Sequence, residues 1–220
     1  YGVRASRKQD SAFKRASASS ITVIVPYFGY AKGDKKDEPR VSIRARVCAD
    51  CIETAGADRV ITMDLHSPQV QGFFRIPMDH LYSLPMLCEV VKGMGLSENL
   101  VVVSPDAGFA KTARKYADYL GTPVAIGDKT RVAHDEKAEI LELIGDVDGK
   151  DCMIVDDFTI SGGTLADIAK VLKAKGAKRI LACLGHNMLR EKGVKRIEES
   201  PIEMLISTDT VENPFILASK

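Results

Sequence analysis

Cys152-Met-Ile-Val-Asp156-Asp157-Phe-Thr-Ile-Ser161-Gly162-Gly163-Thr164-Leu165 is the stretch that says most about the architecture. Its first four residues are uninterruptedly apolar, as in a strand covered on both faces. Two acids follow, then a loop of small residues, and from Thr164 to Lys175 the apolar spacing is helical. A strand, a tight loop and a helix in this order place backbone N–H groups of Ser161, Gly162, Gly163 and Thr164 at a helix N-terminus, a ready anion site. Two carboxylates at a strand end accept hydrogen bonds from sugar hydroxyls. Asp156 and Asp157 ahead of that loop therefore predict a seat for a sugar bearing a terminal phosphate. A plainer reading makes Asp156 a turn residue and Thr164 an N-cap. It accounts for Thr164 but not for two acids ahead of Gly-Gly.

The same alternation extends in both directions. Strands are expected at Ile21–Val25, Val60–Met63, Leu100–Ser104, Pro123–Ile126, Cys152–Val155, Arg179–Cys183 and Met204–Ile206. Helices are expected at Val41–Ala55, Leu84–Met94, Phe109–Leu120, Thr164–Lys175 and Glu191–Glu198, with Gly121 and Gly176 just past two of their ends. Strand–helix–strand repetition predicts an α/β chain with parallel sheets flanked by helices. Two units are visible, 1–83 and 84–220. The polar stretch Gly127–Lys137 between two expected strands reads either as a hairpin connection or as a mobile functional loop.

Composition narrows the function classes. The 220 residues hold 31 Lys and Arg against 30 Asp and Glu, a net charge of +1. A general nucleic-acid binder needs a basic excess, so that class is set aside while a local phosphate site is not. No apolar run reaches the roughly 18 residues that span a membrane. Tyr1–Ser20 is basic and Ser-rich without the apolar region of a secretory signal, and reads as a start partway into a helix. The five cysteines (Cys48, Cys51, Cys88, Cys152 and Cys183) are odd in number, and four sit in apolar-periodic stretches. Buried thiols in the cytoplasm are expected. Cys48-x-x-Cys51 lies mid-helix without a second cysteine pair, which favours packing over a metal.

In α/β sheets ligands gather beyond the carboxyl ends of the strands. His66 follows one such end after Asp64, and Asp106 follows the next within Ser104-Pro-Asp-Ala-Gly108. A His and carboxylates on neighbouring strand ends can hold Mg²⁺, directly or through water, beside a polyphosphate. Each in isolation reads as a satisfied His or a turn Asp. Lys129 and Arg131 offer two cations that can neutralise charge on a transferring phosphoryl group, or simply solvated surface charge. Tyr27-Phe-Gly-Tyr30 stands next to Lys32, Lys35 and Lys36, aromatic faces and cations that suit a purine with a phosphate tail, with Phe28 reading as core. No G-x-x-x-x-G-K-[ST] occurs, so an ATP site here is not a Walker loop. His80, His134 and His186 receive no role.

The Asp156–Thr164 segment resembles the ribose-5-phosphate loop of type I phosphoribosyltransferases and of ribose-phosphate diphosphokinases (PRPP synthetases). Pro26–Asp37, Met63-Asp-Leu-His66, Gln71–Asp79, Ser104–Gly108 and Asp128-Lys-Thr-Arg131 are similar to diphosphokinase motifs, in that family's order, across roughly Asp10 to Pro214. The resemblance implies two phosphoribosyltransferase-like domains with parallel sheets flanked by helices, the first (1–83) incomplete and the second (84–220) carrying the ribose-5-phosphate loop. It implies transfer of the diphosphoryl group of MgATP to the anomeric hydroxyl of ribose 5-phosphate, giving PRPP and AMP for nucleotide biosynthesis. Lys129 and Arg131 are then catalytic. Asp156, Asp157, Ser161, Gly162, Gly163 and Thr164 bind ribose 5-phosphate, Lys32 and Asp37 bind ATP, and His66 and Asp106 hold Mg²⁺. The family is cytoplasmic and assembles into dimers and hexamers, without nucleic-acid or membrane partners.

Three positions depart from the family pattern. Ile160 stands where the commoner motif has an acid, Arg75 where many members have Asp, and Lys32-Gly33 where the family uses Arg-Gln on ATP. These departures favour a non-catalytic paralogue that regulates active subunits. Lys129, Arg131, His66 and Asp106 favour the enzyme. A phosphoribosyltransferase that consumes PRPP would need a base-recognising hood, for which no segment is a candidate.

Overall fold

The computed structural model describes residues 12–95, 99–131 and 139–215, with the side chains of 129–131 and 139–141 excepted. Two compact units divide between Tyr82 and Ser83.

The first unit holds a parallel three-stranded sheet, β1 (Thr22–Val25), β2 (Arg59–Met63) and β3 (Met78–Leu81), in that spatial order. Helix α1 (Arg44–Thr54) links β1 to β2 and turns Ala45, Cys48, Ala49 and Ile52 inward. That i, i+3, i+4, i+7 spacing makes one helical face, and it packs with Val23 and Val60 in one core cluster. Ala45 and Ala49 are fully buried, so small side chains let the helix approach its neighbours closely. α1 starts at Arg44 rather than Val41, because Ile43 is still extended (φ −78°, ψ 93°). β3 was not expected. Met-Asp-His-Leu is too polar to read as a strand, but Asp79 is engaged by Arg59 of β2 at 2.5 Å, which holds its carboxyl below the usual carboxylate range.

The second unit is a six-stranded sheet in the order β6-β5-β4-β7-β8-β9. The ranges are β4 Leu100–Ser104, β5 Val124–Arg131, β6 Glu139–Ile144, β7 Asp151–Thr159, β8 Arg179–Asn187 and β9 Met204–Thr208. Four helices accompany it: α2 (Leu84–Gly93), α3 (Ala110–Leu120), α4 (Gly163–Ala174) and α5 (Glu191–Glu198). Side chains alternate along a strand, and the core splits accordingly. Val101, Val103, Cys152 and Ile154 pack with Leu165, Ile168 and Leu172 of α4. Leu100, Val102, Met153 and Val155 pack with Leu87 and Val91 of α2 and Ala113 and Tyr116 of α3. Helices therefore cover both faces, which is why these strands are apolar throughout.

Two features of this sheet depart from the sequence reading. β5 runs on through Gly127–Arg131, so these residues are strand rather than loop, and they pair antiparallel with β6. β5 pairs with β4 only as far as Ser104↔Ile126, and beyond that its partner is β6 alone among the described residues. The sheet is thus parallel with one antiparallel edge. Glu139-Ile-Leu-Glu-Leu-Ile144 carries two acids and leaves Ile144 exposed, as an edge strand permits. Residues 132–138, which include the rest of the Gly127–Lys137 stretch and His134, lie outside the described residues.

All five cysteines are thiols. Burial pushes Cys88 up to about 11 and Cys152 up to about 12, so both stay protonated packing residues. Among the described residues no helix is long and apolar enough to cross a membrane.

Candidate functional site

β7 delivers Asp156 and Asp157 to the carboxyl end of the sheet as residues still inside the strand, Asp156 opposite Leu184 of β8. The chain then turns at Gly162, whose φ of +67° lies in the left-handed region that glycine adopts without a Cβ penalty. Gly162 is the N-cap of α4 and Gly163 its first residue, so Thr164 is a first-turn residue and not the cap. The N–H of Gly162 donates to Thr159 Oγ1 at 3.2 Å, and that of Gly163 to Ser161 Oγ at 3.4 Å. The second contact is long, and a phosphate oxygen is the stronger acceptor.

Asp156 Oδ1 accepts the N–H of Asp157 at 2.9 Å, and Asp157 Oδ1 that of Phe158 at 2.8 Å. Burial pushes the Asp156 carboxyl up to about 8, the Asp157 charge and hydrogen bond add to this, the Asp157 N–H opposes it, and Asp106 adds a little more. Neighbouring strand ends thus concentrate carboxylates until one keeps its proton. An unfolded Asp ionises near about 3.9. Between that value and the raised one, the folded chain holds a proton that the unfolded chain has released. The Asp156 contribution is therefore complete below the unfolded pKa and is lost as pH rises through the folded one, at up to about 1.4 kcal/mol per pH unit. Asp156→Asn is expected to flatten the stability curve over that range in urea titrations at successive pH values. An unchanged slope would show that Asp156 is ionised in the fold.

Asp106 lies just past β4, the parallel neighbour of β7, and its side chain is exposed. Its Oδ1 accepts the N–H of Phe109 at 3.0 Å and its backbone carbonyl accepts from Ser104 Oγ at 2.6 Å, so the turn into α3 is held at two points. The turn is also pressed from β5. A Cβ on Gly127 would stand 2.7 Å from the Pro105 carbonyl and 2.9 Å from Ile168 Cδ1, which leaves room only for glycine. Lys129 and Arg131 follow on the same strand, opposite Leu141 and Glu139 of β6. The second unit thereby gathers Asp106, Asp156, Asp157 and the Ser161–Thr164 loop at the carboxyl end of its two central strands, β4 and β7. Carboxylate oxygens suit Mg²⁺, which keeps water and phosphate in its shell. Among the described residues no group of three or more His, Cys, Asp or Glu is arranged to hold an ion by itself. The donor set fits an ion shared with a polyphosphate.

Lys32, Asp37 and His66 belong to the first unit. Lys32 sits in a short 3₁₀ turn after β1 (Ala31–Gly33), and Asp37 Oδ2 lies 4.0 Å from Arg44 Nη2. Gly33 has a steric reason. A Cβ there would be 2.8 Å from Arg44 Cβ and 3.1 Å from its Nε, so the arginine stem fills the space a longer residue would need. Arg75 donates its N–H to Glu53 Oε1 at 2.6 Å and places Nη2 3.8 Å from Asp50. Phe28 is buried edge-on against Phe74 and serves the core, while Tyr30 is exposed.

His66 is exposed at the end of a turn that leaves β2 through Asp64, at φ +43°. This is a left-handed conformation that Asp tolerates better than most residues. Leu81 O accepts the Asp64 N–H at 2.9 Å, and His80 Nε2 accepts the Leu65 N–H at 2.8 Å. His80, without a role on sequence grounds, buttresses the turn that presents His66. No spacing signal could reveal it, because the link runs across two strands. As a nitrogen donor, His66 suits Mg²⁺ best through a bound water.

Residues 10–56 match the family described as the N-terminal domain of ribose phosphate pyrophosphokinase, and residues 129–218 the phosphoribosyl synthetase-associated domain. The ribose-phosphate pyrophosphokinase of Chlorobaculum tepidum is 47% identical over 209 residues, 95% of this chain and 64% of the relative. The ribose-phosphate pyrophosphokinase 1 of Listeria monocytogenes is 47% identical over 203 residues, 92% of this chain and 64% of the relative. The crystal structure of phosphoribosylpyrophosphate synthetase from Mycobacterium smegmatis superposes with a TM-score of 0.88 at 38% identity, covering 96% of this chain and 68% of the other. The chain thus spans 64% of the length of these curated relatives.

Proposed function

The chain belongs to the ribose-phosphate pyrophosphokinase (PRPP synthetase) family, and we propose that it forms the larger part of a diphosphokinase joining MgATP and ribose 5-phosphate. One observation carries the reading. Paired Asp156 and Asp157 at a strand end lead directly into a left-handed Gly162 and the N-terminus of α4, beside Asp106. Acceptors suited to sugar hydroxyls and a helix N-terminus suited to an anion follow one another on a single strand–loop–helix segment.

In this reading Asp156 and Asp157 take the ribose hydroxyls, and Ser161, Gly162, Gly163 and Thr164 take the 5-phosphate. The anomeric oxygen is then held to attack the β-phosphorus of ATP. Its proton passes to water as the new O–P bond forms, and the bond from the β-phosphorus to the α,β-bridging oxygen breaks to release AMP. Lys129 and Arg131 neutralise the charge that accumulates on the transferring group. Lys32 and Asp37 serve ATP, while His66 in the first unit and Asp106 in the second are assigned to Mg²⁺. The metal supplies charge neutralisation and a template for the phosphate oxygens.

Positioning accounts for most of the expected rate gain, since phosphoryl transfer asks little covalent work of a protein. The five thiols suit a reducing cytoplasm. Exposed Met86 and Val90 on α2 suit a homo-oligomer built on dimers. The decisive assay is AMP formation from MgATP with and without ribose 5-phosphate. Ribose-dependent AMP release supports the diphosphokinase. Ribose 5-phosphate binding without AMP release from the full-length protein replaces it with a non-catalytic subunit, which the departures at Ile160, Gly33 and Arg75 would then explain.

A further inference from the structure

The geometry points to Arg196 as a positioning residue for the sugar-phosphate seat, an inference that rests on the reading of Ser161–Thr164 given above. Arg196 lies on α5, and its Nη1 donates to the carbonyl of Ser161 at 3.1 Å. The N–H of the same peptide unit, on Gly162, is taken by Thr159 Oγ1 at 3.2 Å. One peptide plane is therefore held at both ends. This matters because a carbonyl oxygen turned into an anion seat repels the anion, whereas one drawn outward leaves the following N–H groups to bind it. Arg196 draws the Ser161 carbonyl to itself, and the helix N-terminus then offers the N–H of Thr164 together with that of Gly163, whose long bond to Ser161 Oγ at 3.4 Å a phosphate oxygen can replace.

Three glycines make the contact possible. A Cβ on Gly163 would stand 3.1 Å from Arg196 Nη1, so a side chain there would crowd the guanidinium. On α5 itself, a Cβ on Gly193 would meet Leu189 Cδ2 at 2.8 Å and the Ile160 carbonyl at 3.0 Å. From the loop side, a Cβ on Gly162 would meet the Gly193 carbonyl at 3.1 Å. Gly193 and Arg196 are three apart on one helical face. Close backbone packing at the first thus delivers the guanidinium of the second to Ser161. A lysine there keeps the charge and one donor but not the planar fork.

Calorimetric titration of ribose 5-phosphate and, separately, of MgATP into the full chain and its Arg196→Ala and Arg196→Lys variants tests this. Arg196→Ala is expected to weaken ribose 5-phosphate roughly tenfold or more while leaving MgATP affinity within about twofold, since a bond from a charged donor is worth more than a neutral one. In turnover the loss should fall on KM for ribose 5-phosphate with kcat largely kept, and Arg196→Lys should recover part of it. Equal ribose 5-phosphate affinity in parent and Arg196→Ala overturns the assignment. So does a parallel loss for both ligands in both variants, which marks a general structural role. If Arg196→Ala does not fold, Arg196→Lys alone decides. It should weaken ribose 5-phosphate selectively, and parent-like affinity would overturn the inference. A parent chain that binds no ribose 5-phosphate overturns the underlying reading of the loop instead.

Discussion

Lys129→Ala is expected to lower turnover by at least roughly 10²–10³-fold while leaving the dissociation constant for ribose 5-phosphate within about twofold. The asymmetry follows from where charge changes. In the proposed function, ribose 5-phosphate carries its full charge before and after the reaction at the β7–α4 loop. A cation on β5 is asked to act when negative charge shifts from the new bond to the departing AMP. A group that neutralises only that state contributes to kcat and little to binding. Single-turnover AMP release combined with equilibrium titration separates the two quantities. Equal turnover in the variant would remove the transition-state role from this strand end, whatever else the segment does.

The second large effect belongs to Asp157. Asp157→Ala is expected to weaken ribose 5-phosphate by roughly 10- to 100-fold, because each hydrogen bond to an ionised acceptor is worth about 1.5–3 kcal/mol. Two influences oppose each other here. The substitution removes an acceptor, but it also removes the charge that helps to keep the Asp156 carboxyl protonated. Asp156 then ionises at a lower pH and becomes the better acceptor, which recovers part of the loss. The deficit should accordingly shrink as pH rises toward 8, in titrations run across that range. An affinity unchanged at every pH would count against a sugar in this position.

Much of the fold was legible because the second unit obeys one simple rule. Strands covered by helices on both faces must be apolar at every position, and Leu100–Ser104 is buried throughout. The helical face of α1 and the boundaries of α5 follow as directly from spacing. β3 and β6 were not legible, for a shared reason. An edge strand is held by backbone pairing even where its sequence is polar, and although β1 and β9 keep an apolar run, Met78–Leu81 and Glu139–Ile144 interrupt theirs with acids and a histidine. The loop of small residues after Asp157 could be read as an anion seat because its chemistry is local in sequence. The supports of the candidate site residues, within each unit, are not local. His80 behind Leu65, Gly127 against Pro105 and Arg196 on Ser161 each join segments that only the folded chain brings together.

The antiparallel continuation of β5 has a thermodynamic consequence of its own. From Val124 to Ile126 the strand pairs with the buried strand β4, β6 joining only at Ile126, whereas from Gly127 to Arg131 it has β6 as its one described neighbour. A two-stranded ribbon is marginal in water by itself, so its outer rungs can open at a free energy well below that of global unfolding. The amide of the fully buried Ala125 should then exchange with solvent deuterium only when the whole unit unfolds, while those toward Arg131 exchange through local melting. The fold places the segment bearing Lys129 and Arg131 on the low-stability side of that boundary, where its equilibrium can be retuned by substitutions in β6 at little expense to the buried sheet.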